Sequence, residues 1–276
     1  WFAIGAMWTA AILAMFGIYR YAERPADPRR RDTSGVADHD AEDAPRGEPR
    51  GARTMDAIPG GPPREYRGDR RHTGRSPFVG PSASDRAWSF HAEGNIAGQA
   101  VVGDDGTVYF GALDHRVYAL APGGEERWNR DLGGAVYSTP AVDGAGHLYV
   151  GSDSNYFFCL DAATGAVLWH LETEGDVDTG IAIAPDGALV FGAGEHVWMV
   201  APDGTARWRF RARVKVYSAP AIDDDGTVYF GAQDNHVYAL APDGTLRWRF
   251  ETPDDVDSAI VIGDDGTLYF GADDRL

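Results

Sequence analysis

The sequence predicts an all-β chain, a β-propeller of four-stranded antiparallel blades, preceded by an N-terminal transmembrane helix and a polar linker. Three observations carry the prediction. Trp88, Trp128, Trp169, Trp208 and Trp248 recur 40, 41, 39 and 40 residues apart. Each period holds four short runs of β-branched, aromatic or aliphatic residues, and Gly-containing turns separate the runs. One twisted four-stranded sheet cannot bury both faces alone, whereas blades stacked around an axis can. A parallel β-helix would need shorter coils without hairpin turns.

The first element is "WFAIGAMWTAAILAMFGIY", in which Thr9 is the one clearly polar residue. As a helix rising about 1.5 Å per residue it approaches the thickness of a hydrocarbon core, so residues 1–21 are read as a membrane anchor. A cleaved signal peptide and a buried helix are the rival readings. The segment lacks a convincing small-x-small cleavage site and a polar face. Arg20, Arg24 and Arg29 to Arg31 follow it, and the positive-inside rule taken alone would place the repeats in the cytoplasm. Residues 22–75 are rich in Pro, Gly, Arg and Asp and poor in large apolar groups, the composition of a disordered tether. Its basic run Arg29–Arg31 is read as solvated linker, with contact to acidic lipid as the rival.

Residues 76–276 are the repeats. Four complete blades fall at about 96–130, 136–171, 177–210 and 216–250, preceded by a lone outer strand at Arg86 to Phe90 and followed by two inner strands. Asp105-Gly106, Asp225-Gly226 and Asp265-Gly266 lie between first and second strands, Asp203-Gly204 and Asp243-Gly244 between third and fourth. They are expected to form type I′ hairpin turns. The period-fixed tryptophans supply apolar plates between neighbouring blades. The truncated fifth unit implies a fragment of a ring of seven or eight blades.

Charge narrows the partners. Residues 1–76 hold 13 arginines and 11 acids, which leaves −19 on the repeats out of a chain total of −17. Such a surface repels phosphate, so nucleic acid is not an expected partner. The single cysteine, Cys159, excludes an intrachain disulfide. There is no G-x-S-x-G elbow, no H-E-x-x-H and no phosphate-binding G-x-x-x-x-G-K.

The stretch "CLDAATGAVLW", Cys159 to Trp169, resembles the A-x-D-x-x-T-G-x-x-x-W signature of pyrroloquinoline-quinone-type propeller repeats. Asp161, Thr164, Gly165 and Trp169 match, and Cys159 stands in place of Ala. The other units carry the shorter "ALAPGGEERW", "MVAPDGTARW" and "ALAPDGTLRW", and "YRGDRRHTGRSPFVGP" is similar to the segment that leads into the first blade of bacterial relatives. The resemblance covers residues 66–276. It implies a propeller and two functional branches: quinoprotein dehydrogenases, which use a calcium-bound quinone, an Asp base and often a vicinal Cys pair, and a non-catalytic BamB-like branch that docks proteins. One cysteine excludes the pair, and no position matches the Asp base or the calcium ligands. The resemblance also implies an extracytoplasmic location for the repeats, against the charge rule above.

Candidate sites lie where the repeat varies. "DDDG", Asp223 to Gly226, lacks the alternating spacing of a calcium loop and reads as a turn. Arg116, Tyr156, His196 and His236 share one repeat position, too far apart around a ring to hold one metal. The entry to the innermost strand reads "AVYSTPAV", "DVDTGIAI", "KVYSAPAI" and "DVDSAIVI", so one position runs Tyr137, Asp178, Tyr217, Asp257. Inner-strand ends converge at the channel mouth, where an alternating Tyr/Asp ring can recognise a ligand. The rival reading is an echo of a duplicated two-blade ancestor. The expectation is a membrane-tethered, extracytoplasmic protein-binding scaffold with protein partners on one propeller face, and with no enzymatic activity, cofactor or metal. The alternatives are a propeller enzyme with chemistry on other blades, and the sensor domain of a membrane signalling protein.

Overall fold

Antiparallel meanders form wherever two strand-forming runs are joined by a turn of matching twist, and the turn chemistry here is uniform. In the computed structural model, which describes residues 30–31, 37–40, 66–74 and 88–273, Gly106, Gly187, Gly226 and Gly266 all have φ between 79° and 82°. None of the aspartates preceding them has positive φ. This corrects the expected type I′ turn, which needs both central residues left-handed. The observed turn instead closes with Gly106 N–H donating to Gly103 O at 3.0 Å, and the Asp105 carboxylate accepts from Thr107 N–H at 3.0 Å. Aspartate is favoured there as a carboxylate cap, and only the glycine needs the left-handed region.

Two short pieces precede the blades, β1 (Arg30–Arg31) and β2 (Ala37–Asp40). The first blade is β3 (Val101–Val102), β4 (Val108–Gly111), β5 (Arg116–Leu120) and β6 (Glu126–Asp131). The second is β7 (Ala141–Val142), β8 (His147–Ser152), β9 (Tyr156–Asp161) and β10 (Val167–Glu172). The third is β11 (Ala182–Ile183), β12 (Leu189–Ala193), β13 (His196–Val200) and β14 (Ala206–Arg211), and the fourth β15 (Ala221–Ile222), β16 (Val228–Ala232), β17 (His236–Leu240) and β18 (Leu246–Glu251). The two-stranded sheet of β19 (Val261–Ile262) and β20 (Leu268–Tyr269) begins a fifth. All pairings within blades are antiparallel between sequential strands. Trp88 to Phe90 carry no strand pairing, in contrast to the lone outer strand expected there; Arg86 and Ala87 lie outside the described residues.

The apolar core lies between successive blades. Tyr149, Phe157, Trp169 and Leu171 of the second blade form one buried cluster with Phe191 and Trp198 of the third, and Phe157 stacks on Phe191 at 3.9 Å between ring centroids. Trp208 and Phe210 of the third pack with Phe230, Tyr238 and Leu240 of the fourth. A glycine in the second strand of each blade sets the spacing to the next: a Cβ on Gly111, Gly151 or Gly231 would lie 2.2 to 2.3 Å from Cγ1 of Val136, Val177 or Val256, so the entry to the following blade approaches only because that side chain is absent.

The expected anchor, residues 1–21, lies outside the described residues. The segment expected to be a tether has three described stretches, all of them docked on the blades. β1 pairs in parallel with β10, β2 pairs in parallel with β14, and Arg70 O and Arg71 O accept from Ile222 N–H and Ile262 N–H at 2.8 and 3.0 Å. His72 is buried, with Nδ1 2.9 Å from Ile260 O, and Arg70 pairs with Asp224 at 2.9 Å. These contacts are polar and backbone-mediated, so they need little apolar surface; the rest of residues 22–75 lies outside the described residues.

Candidate functional site

The loops that enter the innermost strands are held by a hydroxyl that follows the variable residue. Ser138 Oγ donates to Gly151 O and accepts from Gly151 N–H, both at 2.9 Å. Thr179 makes the same reciprocal pair with Gly192, at 3.4 and 2.9 Å, and Ser258 with Gly271, at 2.9 and 2.7 Å. The loop is thereby pinned to the second strand of its own blade, and the preceding side chain is left to project.

Tyr137 and Tyr217 are 41% and 36% exposed, whereas most other rings among the described residues are packed. Asp178 lies in the third blade between the two tyrosine-bearing blades. Asp153 and Asp176 join it, one ligand atom of each carboxylate lying within 4.8 Å of the others. Burial, then the hydrogen bond and charge of Asp178, push Asp153 up to about 8, and burial with the Asp178 charge also raises Asp176. Asp153 therefore holds a proton near neutrality. Burial and the charges of Asp153 and Asp178 raise the Tyr137 phenol. Lys215 stands 5.6 Å from the Tyr217 ring; its ammonium is held charged by Tyr217 and by Asp176 and Asp178.

A cleft of about 630 Å³ opens here, lined by Asp176, Asp178, Lys215 and Tyr217 on the inner side. On its outer side the charges are paired: Arg209 with Glu174 at 2.5 Å, Arg211 with Glu195 at 3.1 Å, and His196 beside Glu174 at 3.6 Å. The outer wall is thus neutralised and the inner wall acidic around one lysine. The inner wall can accept hydrogen bonds from a cationic or amide-rich group lying beside the Tyr217 ring.

The structure brings Asp178 and Tyr217 together in the wall of this cleft, while Tyr137 stands outside that wall, close enough to Asp153 and Asp178 for their charges to act on its phenol. Asp257 sits one blade further on, where Gln233 Nε2 donates to it at 3.3 Å and burial with the charges of Asp273 and Asp255 raises it. Asp153, Asp176 and Lys215 escaped the sequence reading. The signal for two of them is two residues before the variable position, which runs Ala135, Asp176, Lys215, Asp255. Of the rejected motifs, the three consecutive aspartates turn to separate partners: Asp223 N–H to Thr227 O, Asp224 to Arg70, Asp225 to Arg247. Among the described residues Asp153, Asp176 and Asp178 form the one group of three or more His, Cys, Asp or Glu with metal-ligand proximity.

The blade tryptophans act at the opposite end of the sheets. Trp88 Nε1 donates to Pro122 O, Trp128 to Ala162 O, Trp169 to Pro202 O and Trp208 to Pro242 O, at 2.9 to 3.1 Å, each reaching the outer turn of the following blade. A Cβ on Gly165, which has φ +69°, would lie 2.6 Å from the Trp128 ring, so the signature glycine admits the plate. Trp248 packs beside Tyr229, ring centroids 5.8 Å apart.

The family model for the outer membrane protein assembly factor BamB matches residues 79–176 and 155–274. The solved BamB of Moraxella catarrhalis superposes with a TM-score of 0.54 at 20% identity, covering 63% of this chain and 55% of that one, which establishes a shared fold. The serine/threonine-protein kinase AfsK of Streptomyces griseus is 32% identical over 144 residues, 46% of this chain and 17% of the kinase. The chain thus spans a small part of the curated relative and about half of the solved one.

Proposed function

Because the chain belongs to the pyrroloquinoline-quinone-type repeat family whose model describes BamB, we propose that it is a non-catalytic, protein-binding propeller that captures its partner at the mouth between the second and fourth blades. One observation carries the reading: Tyr137 and Tyr217 are exposed on either side of a protonatable acid group, at the position where otherwise similar blades differ. Exposed aromatic anchors next to desolvated polar groups are the usual source of docking energy. A cationic side chain from the partner would sit beside the Tyr217 ring and be neutralised by Asp176 and Asp178. The reading includes an extracytoplasmic location and a membrane anchor at residues 1–21. It also includes further blades packing on the fourth and fifth, where Phe250 and Tyr269 are each 58% exposed.

A quinone cofactor fits these residues poorly. Cys159 is buried in the core between the second and third blades, away from the cleft, and it is the chain's one cysteine. Incubation with quinone and calcium is expected to leave no quinone absorbance on the repurified protein, and a retained stoichiometric chromophore would overturn the non-catalytic reading. The identity with AfsK favours a second reading, in which the same propeller is the sensing module of a membrane kinase. A kinase domain in the same open reading frame would select it.

The docking reading is tested by placing a photo-crosslinking amino acid at position 137 or at Asp243, an exposed outer turn, in the producing cell. A discrete adduct at 137 and none at 243 is expected. Equal adducts at both, or none at 137, would contradict the assignment.

A further inference from the structure

Every blade ends on an outer strand, and an outer strand presents a row of unpaired backbone groups. On two successive blades that row is occupied by this chain's own N-terminal segment. Arg30 and Arg31 lie in register with His170 and Leu171 of β10, and Ala37, Asp38, His39 and Asp40 with Trp208, Arg209, Phe210 and Arg211 of β14. Both additions are parallel, whereas every pairing within the blades is antiparallel. The second addition also aligns opposite charges in register. The acids of "ADHD" fall at the register positions of the arginines of "ARWRFR", two residues apart on each strand. On the fourth blade, "LRWRFE" repeats Arg247 and Arg249 at the places of Arg207 and Arg209, and among the described residues no strand is added to that edge.

We propose that the outer edge of the third blade is a docking site for an extended acidic segment of a partner protein, added as a parallel fifth strand, and that residues 37–40 are its built-in competitor. The main chain supplies the binding and the D-x-D spacing supplies the selectivity, the division found in strand-addition complexes generally. A partner with acids at alternate positions then displaces residues 37–40 and releases the N-terminal segment from the blade. This edge adjoins the cleft, since Arg209 and Arg211 also form its outer wall and pair there with Glu174 and Glu195, but it uses a different chemistry, backbone pairing to a strand whose arginines can exchange carboxylate partners. The intramolecular competitor has the advantage of high local concentration, so the site is weak in trans until the competitor leaves.

The test uses the whole chain and a fluorescent peptide carrying residues 34–43. In the variant Ala37→Pro/His39→Pro, prolines remove the N–H donors of residues 37 and 39 and break the extended pairing geometry while leaving the acids. The peptide is expected to bind this variant at least tenfold tighter than the unaltered chain. A peptide with Asp38→Lys and Asp40→Lys is expected to lose that binding by a similar factor. Amide exchange over 206–211 should rise in the variant and fall again with peptide, while 189–200 stays protected. Equal peptide affinity for both chains, or unchanged exchange over 206–211, would overturn the proposal. Should the prolines expose 189–200 as well, the chain with Asp38→Lys/Asp40→Lys replaces the proline variant, with the same expected result and the same contrary one.

Discussion

At the outer rim, Trp128, Trp169 and Trp208 occupy one repeat position and do one thing, donating to the carbonyl of the following blade's turn at 3.0, 3.1 and 2.9 Å. At the inner mouth, one repeat position holds Ala97, Tyr137, Asp178, Tyr217 and Asp257, although a hydroxyl pins the next residue in the same way at 138, 179 and 258. Every blade must close on its neighbour, and a single solution serves all of them. On the docking reading proposed above, a partner would meet the mouth once and from one side, and each blade there would contribute a different group to a single surface.

The comparison is broken most forcefully at the rim. Trp208 is 2% exposed and belongs to the core between the third and fourth blades. Trp208→Ala is expected to cost about 3–5 kcal/mol in denaturant unfolding. Tyr137→Ala, at an exposed mouth position, should stay within about 0.5 kcal/mol. A comparable loss at Tyr137 would show that the mouth is structural. Next in size is Trp208→Phe, which retains an aromatic plate but removes the indole donor to Pro242 O. It should lose about 1 kcal/mol from the hydrogen bond, with a further loss from the smaller ring.

The two regions also answer pH in opposite directions. Asp153 at the mouth has its folded value raised to about 8, so its contribution to stability is fully present below 3.8 and declines as pH climbs from there to about 8. Asp105, in the turn between the first and second strands and away from the mouth, is lowered to about 2 by its hydrogen bonds to Thr107, so its contribution is present above 3.8 and declines as pH falls towards 2. Asp153→Asn should therefore flatten the fall in stability between pH 5 and 8, whereas Asp105→Asn should leave that window unchanged and alter the acid limb. Unfolding midpoints across pH would show it, and an unaltered slope for Asp153→Asn would remove the proton from the mouth. The smallest effect belongs to Arg247, whose bridge to Asp225 at 2.8 Å is largely exposed. Arg247→Ala should cost no more than about 1 kcal/mol, and less in high salt.

What was legible in the sequence follows from how far apart the interacting residues lie. The four four-stranded units, their strand order and the role of Gly-containing turns are local, set by neighbours within a period of about 40 residues, and the repeats display them several times over. The turn type was misread because Asp acts there through its carboxylate and not by adopting a left-handed backbone. The acid group was half legible: Asp178 stood out against Tyr137 and Tyr217, but Asp153 lies 25 positions earlier, in another blade, and nothing local announces that the two meet. The docking of residues 66–74 was illegible, since Arg70 finds Asp224 across 154 positions by polar contacts that composition does not report.

The central claim is that departures from the repeat at the mouth carry recognition. The direct measurement is selection of a random peptide library on the intact chain, followed by affinities of the enriched peptides for the Tyr137→Ala/Tyr217→Ala chain and for Arg247→Ala. Peptides rich in Lys or Arg that lose at least tenfold in affinity on the double tyrosine variant and little on Arg247→Ala are the predicted result. Enriched peptides that bind all three chains equally would contradict it.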